Sequence, residues 1–304
     1  MRFILFAWSL FFSNSIFACD ICGGVSSNAS IGLFASTKFH TIGYKSSMRS
    51  FTSYLYGIRH SQEYLFTQEL QFRTQLHPRI QLIGSLPFQN AVQLRDLGRD
   101  AVYGIGDANL LGNFVLYQNR DSLGMSKNFL SVGLGVKFPL GKNVPSSNVL
   151  KNLYPGTGSW DYLLLANYTK QFSSKWGWQT EASYSLKGTD KYNFRYGNTT
   201  QIASQGFTNR GVGSYRLIIA TGLTFENHQT SRANGAIDSS ITNAGYILSA
   251  KASVNLLTYR WLWSFNVQHP IKQNINSSTI FQNLSAGLTL NYLIKNSKNE
   301  KVTL

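Results

Sequence analysis

The stretch NFLSVGLGVKFPL, from Asn128 to Leu140, alternates apolar residues with small or polar ones. Because successive side chains of a β-strand point to opposite faces, a period of two predicts a strand with one apolar face. One face carries Leu130, Val132, Leu134, Val136 and Phe138, and the other carries Ser131, Gly133, Gly135 and Lys137. A tilted strand needs about 9 to 11 residues to cross a bilayer, so this stretch is long enough to span a membrane.

The same alternation recurs between about residues 62 and 293. In the last segment, Leu284, Ala286, Leu288, Leu290 and Tyr292 oppose Ser285, Gly287, Thr289 and Asn291. A soluble β-sandwich also alternates, so the pattern alone does not identify a membrane protein. Here, however, the polar faces are rich in Gly, Ser, Thr, Asn and Gln and poor in charge, which favours a crowded barrel interior.

Two tryptophan pairs point in the same direction. Trp176 and Trp178 begin one predicted strand, and Trp261 and Trp263 begin another. Each pair lies on one face of its strand, directly after a short turn. Such pairs are typical of the aromatic girdle at a membrane interface.

The predicted connections alternate between short and long. Short turns are expected near 76–79, 173–175, 209–213 and 258–260, with a somewhat longer one at 119–127. Longer loops are expected near 51–62, 89–106, 141–159, 187–197, 227–243 and 270–282. Outer-membrane barrels have short periplasmic turns and long external loops. The sequence therefore predicts an all-β fold, an antiparallel transmembrane β-barrel of about 12 strands, within a range of about 10 to 14.

The two ends of the chain differ from the barrel in composition. Residues 1–18 place one Arg ahead of an apolar run and end on Ala18, as a secretory signal peptide does. We expect a signal peptide at 1–18, a periplasmic segment at 19–30, the barrel at 31–293 and a polar tail at 294–304. After residue 18, no apolar run approaches the roughly 18 to 20 residues of a spanning helix. The predicted location is the bacterial outer membrane, with the barrel-assembly machinery as a partner during insertion.

The formal net charge of +15 raises nucleic acid as a partner. The basic residues scatter through predicted loops and turns, and the chain is predicted to be exported, so nucleic acid is not expected. Basic residues of the predicted external loops, such as Lys142, Lys187 and Lys272, are expected to contact lipid phosphates or to steer anionic solutes towards a pore. The expected partners are therefore outer-membrane lipid and a small solute.

Cys19 and Cys22 form a C-x-x-C pair in the predicted periplasmic segment. In the oxidising periplasm such a pair can close into a disulfide. Two thiolates can instead hold a soft metal such as Cu(I) or zinc. A third reading is lipidation of Cys19, because residues 16–19 loosely resemble a lipoprotein cleavage site. No cofactor is expected beyond this possible copper or zinc site.

Charged side chains on the polar faces of the predicted strands define a candidate lumen. Those selected as lumen-lining are Glu69, Arg73, Asp107, Lys137, Asp161, Glu181 and Lys251. Both signs of charge are present. Paired charges would fill a narrow barrel, whereas exposed ones would line a path for solute and set its selectivity.

An enzyme is not expected. The histidines lie outside any recognisable nucleophile motif such as G-x-S-x-G, and Gly-rich pieces such as Gly104-Ile105-Gly106 lack the helix that a phosphate-binding loop requires. The predicted function is a channel or transporter for a small solute. The alternatives are a structural or surface-interaction barrel without an open pore and a membrane-embedded hydrolase.

Several short motifs carry a resemblance to a known family. They are Cys19-Asp20-Ile21-Cys22-Gly23, Gly104-Ile105-Gly106-Asp107, the run from Gly133 to Gly141, the run from Gly156 to Asp161, and His269-Pro270-Ile271. In their order and spacing the chain resembles the outer-membrane transporter family named after the meta-pathway of phenol degradation, particularly its members with an N-terminal CDICG segment. The resemblance implies a β-barrel and a transport role, and it implies no catalytic residues.

Overall fold

The computed structural model describes residues 39–96, 98–120, 126–143, 153–213, 215–237, 244–277 and 279–295. The predicted signal peptide, the segment 19–30 with Cys19 and Cys22, and residues 296–304 lie outside these ranges. The described part of the chain is built from β-strands. None of its residues forms a helix that is long and apolar enough to span a bilayer.

The strands are numbered in chain order. They are β1 (Phe39–Leu55), β2 (Ile58–His77), β3 (Ile80–Arg95), β4 (Gly98–Ile105), β5 (Ala108–Arg120), β6 (Ser126–Phe138), β7 (Asp161–Gln171), β8 (Trp176–Leu186), β9 (Phe194–Arg195), β10 (Thr199–Val212), β11 (Tyr215–His228), β12 (Arg232–Ala233), β13 (Ala236–Ile237), β14 (Gly245–Leu257), β15 (Trp261–Ile275) and β16 (Ile280–Lys295).

Antiparallel pairing of β1 with both β2 and β16 closes the sheet into a barrel. β4 and β5 share one position in the wall, because β3 pairs with β4 over Phe88–Arg95 and with β5 over Ile80–Ser85. The wall therefore has 12 strands, in the order β1, β2, β3, β4 with β5, β6, β7, β8, β10, β11, β14, β15 and β16. The predicted fold class is confirmed. Closure also removes the free sheet edges that would leave backbone groups unpaired in lipid.

The outer face of the barrel is apolar and the inner face is largely polar, the reverse of a soluble protein, although Leu111, Leu163 and Leu165 form a small apolar cluster inside. On β7, Tyr162, Leu164 and Tyr168 are exposed, whereas Asn167 and Thr169 are buried. The predicted tryptophan pairs also point outward, and Trp176 and Trp261 are 58% and 42% exposed at the start of β8 and β15. An exposed apolar belt of this kind is stable only against lipid.

The short turns predicted near 76–79, 173–175, 209–213 and 258–260 lie at the end of the barrel that also carries the described chain ends, and the longest connections lie at the other end. Following the rule for outer-membrane barrels, this is the periplasmic end. The connections at the other end differ from the prediction in one respect. The predicted loops at 51–62, 89–106 and 270–282 are largely β-hairpin, since β1 runs to Leu55, β4 occupies 98–105 and β15 runs to Ile275. The last strand also extends to Lys295, two residues beyond the predicted barrel boundary at 293.

The hairpin between β1 and β2 shows why composition alone does not predict these strand extensions. Tyr56 and Gly57 form the whole turn, with φ of 50° and 80°. Positive φ at both central residues is the geometry that matches the twist of a two-residue hairpin. A tyrosine is an unusual residue at the first of these positions, so the turn carries no Asn-Gly or Asp-Gly signal.

The pairing of β15 with β16 is interrupted between Gln268 and Ile275. Pro270, which has no backbone N–H, lies within this interval. The side chain of Gln273 replaces part of the missing ladder, because its Nε2 donates to the Gln282 carbonyl at 3.0 Å and its Oε1 accepts from the Gln282 N–H at 2.8 Å.

Candidate functional site

The interior of the barrel is crossed by a bidentate ion pair. Arg49 of β1 donates to both carboxylate oxygens of Glu226 on β11, at 3.3 and 3.4 Å. These strands are not neighbours, since β16, β15 and β14 lie between them in the wall. The pair therefore spans part of the lumen. Gln201 Nε2 also donates to Glu226 at 3.1 Å and fixes the carboxylate in place.

A second group of charges lies at the same central part of the lumen. Lys45 pairs with Glu69 of the adjacent strand at 3.7 Å. Glu181 accepts a hydrogen bond from Asn167 Nδ2 at 3.2 Å, and it lies within electrostatic range of Lys251 and Lys45. β8, which carries Glu181, lies opposite β1 in the wall. An interaction between Glu181 and Lys45 across the barrel requires a narrow lumen. Charged groups of both signs therefore lie close together at its centre.

The outer end of the barrel holds a separate chain of charges, the outer ion cluster, formed by Asp107, Lys137, Asp161 and Lys187. Lys137 Nζ lies 2.8 Å from Asp107 and 2.8 Å from Asp161, and Lys187 Nζ lies 3.3 Å from Asp161. All four side chains are at most 5% exposed. Lys187, expected in a loop that contacts lipid phosphates, is instead buried in this cluster because Asp161 provides its counter-charge.

The outer ion cluster binds the backbone of the external loops. Asp107 accepts from the N–H groups of Gly141 and Thr157, at 2.9 and 2.8 Å, and Asp161 accepts from the Gly188 N–H at 3.1 Å. Gly141 and Gly156 meet backbone to backbone, so closely that a Cβ on either would lie 2.5 Å from the other. The motifs around these residues therefore hold the loops against the rim of the barrel.

Arg73 lies away from both charge groups, near the periplasmic end of β2. Its Nη2 donates to Gln81 Oε1 at 2.8 Å, and Asn113 Nδ2 donates to the same oxygen at 3.3 Å. No ion pair found among the described residues includes Arg73. Its guanidinium therefore enters the lumen with a neutral partner only.

The seven predicted lumen residues all face inward, but the structure divides them. Asp107, Lys137 and Asp161 come together in the outer ion cluster, while Glu69, Glu181 and Lys251 lie in the central group and Arg73 stands apart. Sequence reasoning missed Lys45, Arg49 and Glu226. A signal was present on β1, where Lys45, Ser47 and Arg49 share one phase, but Ser46 and Ser50 interrupt the apolar residues of the opposite face.

The described residues were searched for a histidine that could act in catalysis and for a group that could hold a metal ion. His228 Nδ1 lies 3.3 Å from Thr199 Oγ1, but the neighbouring Glu226 is already bound by Arg49. Within the described ranges, no group of three or more His, Cys, Asp or Glu side chains is placed to hold a metal ion. The predicted metal or disulfide site at Cys19 and Cys22 lies outside them and stays a prediction.

Comparisons with known proteins bear on the fold. No protein-family model matches the chain, and no curated protein matches it. Among solved structures it is similar to an outer membrane channel from Pseudomonas putida F1, with a TM-score of 0.65, 17% identity, and coverage of 84% of this chain and 96% of that one. It is also similar to the beta domain of the Bordetella autotransporter BrkA, with a TM-score of 0.53, 10% identity, and coverage of 84% and 100%.

This chain is an outer-membrane β-barrel. At such low identities the likeness establishes the fold and leaves the cargo open. The apolar belt, the closed 12-stranded wall and the fold of these neighbours agree on a bacterial outer-membrane location.

Proposed function

We propose that the barrel is a channel through which a small hydrophilic solute crosses the outer membrane. The supporting observation is the surplus of hydrogen-bonding groups on its inner face. Buried side-chain atoms without a protein partner include Gln71 Nε2, Asn113 Oδ1, Ser131 Oγ, Gln179 Nε2, Gln205 Oε1, Ser253 Oγ and Gln268 Oε1. An unsatisfied buried polar atom costs about 1 to 3 kcal/mol, so a dry, self-filled interior would be strongly destabilised.

Water offers these groups their missing partners. Buried polar sites in proteins are hydrated when they are roomy enough and offer several polar contacts. The unsatisfied atoms belong to most strands of the wall, and they are shielded from solvent, so water reaches them only when the inward side chains move apart. Such a movement would satisfy many of these groups at once and open a path for solutes, which supports a channel over a structural barrel.

In this account the charges have two roles. Glu69, Arg73, Glu181 and Lys251 contact the passing solute, together with Arg49 and Glu226. Asp107, Lys137 and Asp161 instead shape the outer mouth by holding its loops. The facing charges of opposite sign at the centre favour small polar solutes over apolar ones, because a hydrocarbon there would separate charges from water.

Passage can be tested by swelling of liposomes that contain the refolded full-length protein. Small sugars and amino acids should produce swelling at rates that fall with solute size, and liposomes with heat-denatured protein should not swell. A folded barrel that admits no solute beyond the rate of empty liposomes would refute the proposal and favour the structural alternative. Membrane lipid and the barrel-assembly machinery remain the proposed partners of the outer face.

A further inference from the structure

The inner face of β2 carries a row of hydrogen-bond donors near the periplasmic end. Gln71, Arg73 and Gln75 occupy alternate positions of the strand and point to the same side. Alternate residues of a strand are about 6.5 to 7 Å apart, so a small solute beside Arg73 is within reach of either neighbour. The Nε2 atoms of Gln71 and Gln75 and the Oε1 atom of Gln75 are buried without a hydrogen-bond partner, so these side chains must turn towards the lumen before they donate to a solute.

The guanidinium of Arg73 is held in place from one side only. Gln81, which is 1% exposed, accepts its Nη2 N–H and is itself held by Asn113, which is 0% exposed. Guanidinium has further N–H donors in a planar fork. A cation drawn out of bulk water is costly unless an opposite charge accompanies it. The described residues place no carboxylate in ion-pair contact with Arg73, so the site is suited to an anion from solution.

We propose that Arg73, flanked by Gln71 and Gln75, binds the carboxylate of a small monoanionic solute. This names the class of solute for the proposed channel and therefore rests on that function. The planar fork of arginine matches the two oxygens of a carboxylate, and the flanking amides can donate to a hydroxyl or a second oxygen of the same molecule.

Charge balance favours a carboxylate over a phosphate. A phosphate monoester carries about −1.5 to −2 charges at pH 7, whereas Arg73 contributes a single positive charge. Lys45, the inward-facing cation on the adjacent strand β1, is already paired with Glu69. A monoanion therefore neutralises the site, and a dianion would leave uncompensated negative charge.

Binding can be measured without any passage through the channel. Lactate is titrated into the refolded full-length protein in detergent micelles, and its binding is followed by saturation-transfer difference NMR, with lactamide as the neutral analogue. The wild-type protein should bind lactate saturably and lactamide much more weakly. Arg73→Gln should weaken lactate binding at least about tenfold, as expected for loss of a charged hydrogen-bond donor.

Two further variants serve as a charge-matched control and as an independent test of the site. Arg79→Gln makes the same change of charge at the exposed periplasmic turn beside β2, outside the lumen, and should leave lactate binding unchanged. Gln75→Met retains Arg73 but removes one flanking donor, so it should weaken binding several-fold even if Arg73→Gln fails to fold. Folding of each variant is verified by the heat-dependent shift of its mobility on a gel.

Equal lactate affinity in the wild type, in Arg73→Gln and in Gln75→Met would refute the proposed binding site at Arg73. So would an equal loss in Arg79→Gln, or displacement of lactate by inorganic phosphate at lower concentrations than by acetate. The two proposals fail separately. A barrel that binds lactate but passes no solute refutes the channel, and a barrel that passes sugars but does not bind lactate refutes the site.

Discussion

Replacing Lys137 by methionine removes the central cation of the outer ion cluster while nearly conserving side-chain length. Lys137 lies 2.8 Å from both Asp107 and Asp161, so the substitution leaves two buried carboxylates without a shared partner. Removing one partner of a buried ion pair costs about 3 to 5 kcal/mol. Asp161 keeps Lys187 at 3.3 Å, and Asp107 keeps two backbone N–H donors. We therefore expect the free energy of unfolding to fall by an amount at the lower end of this range, about 3 kcal/mol.

The assay is reversible guanidinium unfolding in lipid vesicles, followed by tryptophan fluorescence. Lys142→Met is the matched control, because Lys142 is exposed in the loop that follows the same strand. Its effect should stay within about 0.5 kcal/mol of the wild type. If the free energy of unfolding falls equally little in both variants, the cluster does not stabilise the rim and the division of lumen charges into two roles is wrong.

Two further substitutions test other parts of the structure. Glu226→Gln removes the counter-charge of Arg49, so the reversal potential in a KCl gradient should shift towards anion preference, whereas an unchanged potential would place the Arg49–Glu226 pair outside the ion path. Gly57→Ala places a side chain at a φ of 80° and should cost about 1 to 2 kcal/mol in the same unfolding assay. Gly98→Ala, where a Cβ meets nothing within 4 Å and φ is not positive, should cost less, and equal effects would refute the turn strain.

The faces of the strands could be predicted because lipid imposes a strict alternation. In the stretch from Asn128 to Leu140, Ser131 and Lys137 are buried inside the barrel and Leu134 is 59% exposed to lipid, as the period of two requires. The tryptophans after the short turns could be placed for a related reason, since their rings are stable at the interface between lipid and water.

Partners across the lumen could not be predicted from the sequence. Arg49 and Glu226 are 177 positions apart, and their contact depends on the register of every strand pair around the wall. Alternation predicts which face a residue lies on, but the height of that residue follows from the stagger of the closed barrel. For this reason the alternation alone groups Asp107, Lys137 and Asp161 with Arg73, although the structure places Arg73 at the opposite end of the barrel.

The strand extensions at the outer end are hard to predict because many of their buried residues are polar. The outer parts of β1 and β2 bury Ser53, Ser61 and Glu63 against one another, with hydrogen bonds from Ser53 to Glu63 at 3.3 and 3.4 Å. Polar residues that satisfy each other inside a hairpin have the composition of a loop. Length and polarity alone therefore do not distinguish these strands from irregular connections.

Single-channel recording of the refolded full-length protein in a planar bilayer tests the central claim, that the polar lumen is an open, hydrated path. An open lumen should give discrete current steps in KCl whose size increases with salt concentration. Folded protein that inserts into the bilayer, as shown by protection of the barrel from added protease, yet produces no current steps would contradict it.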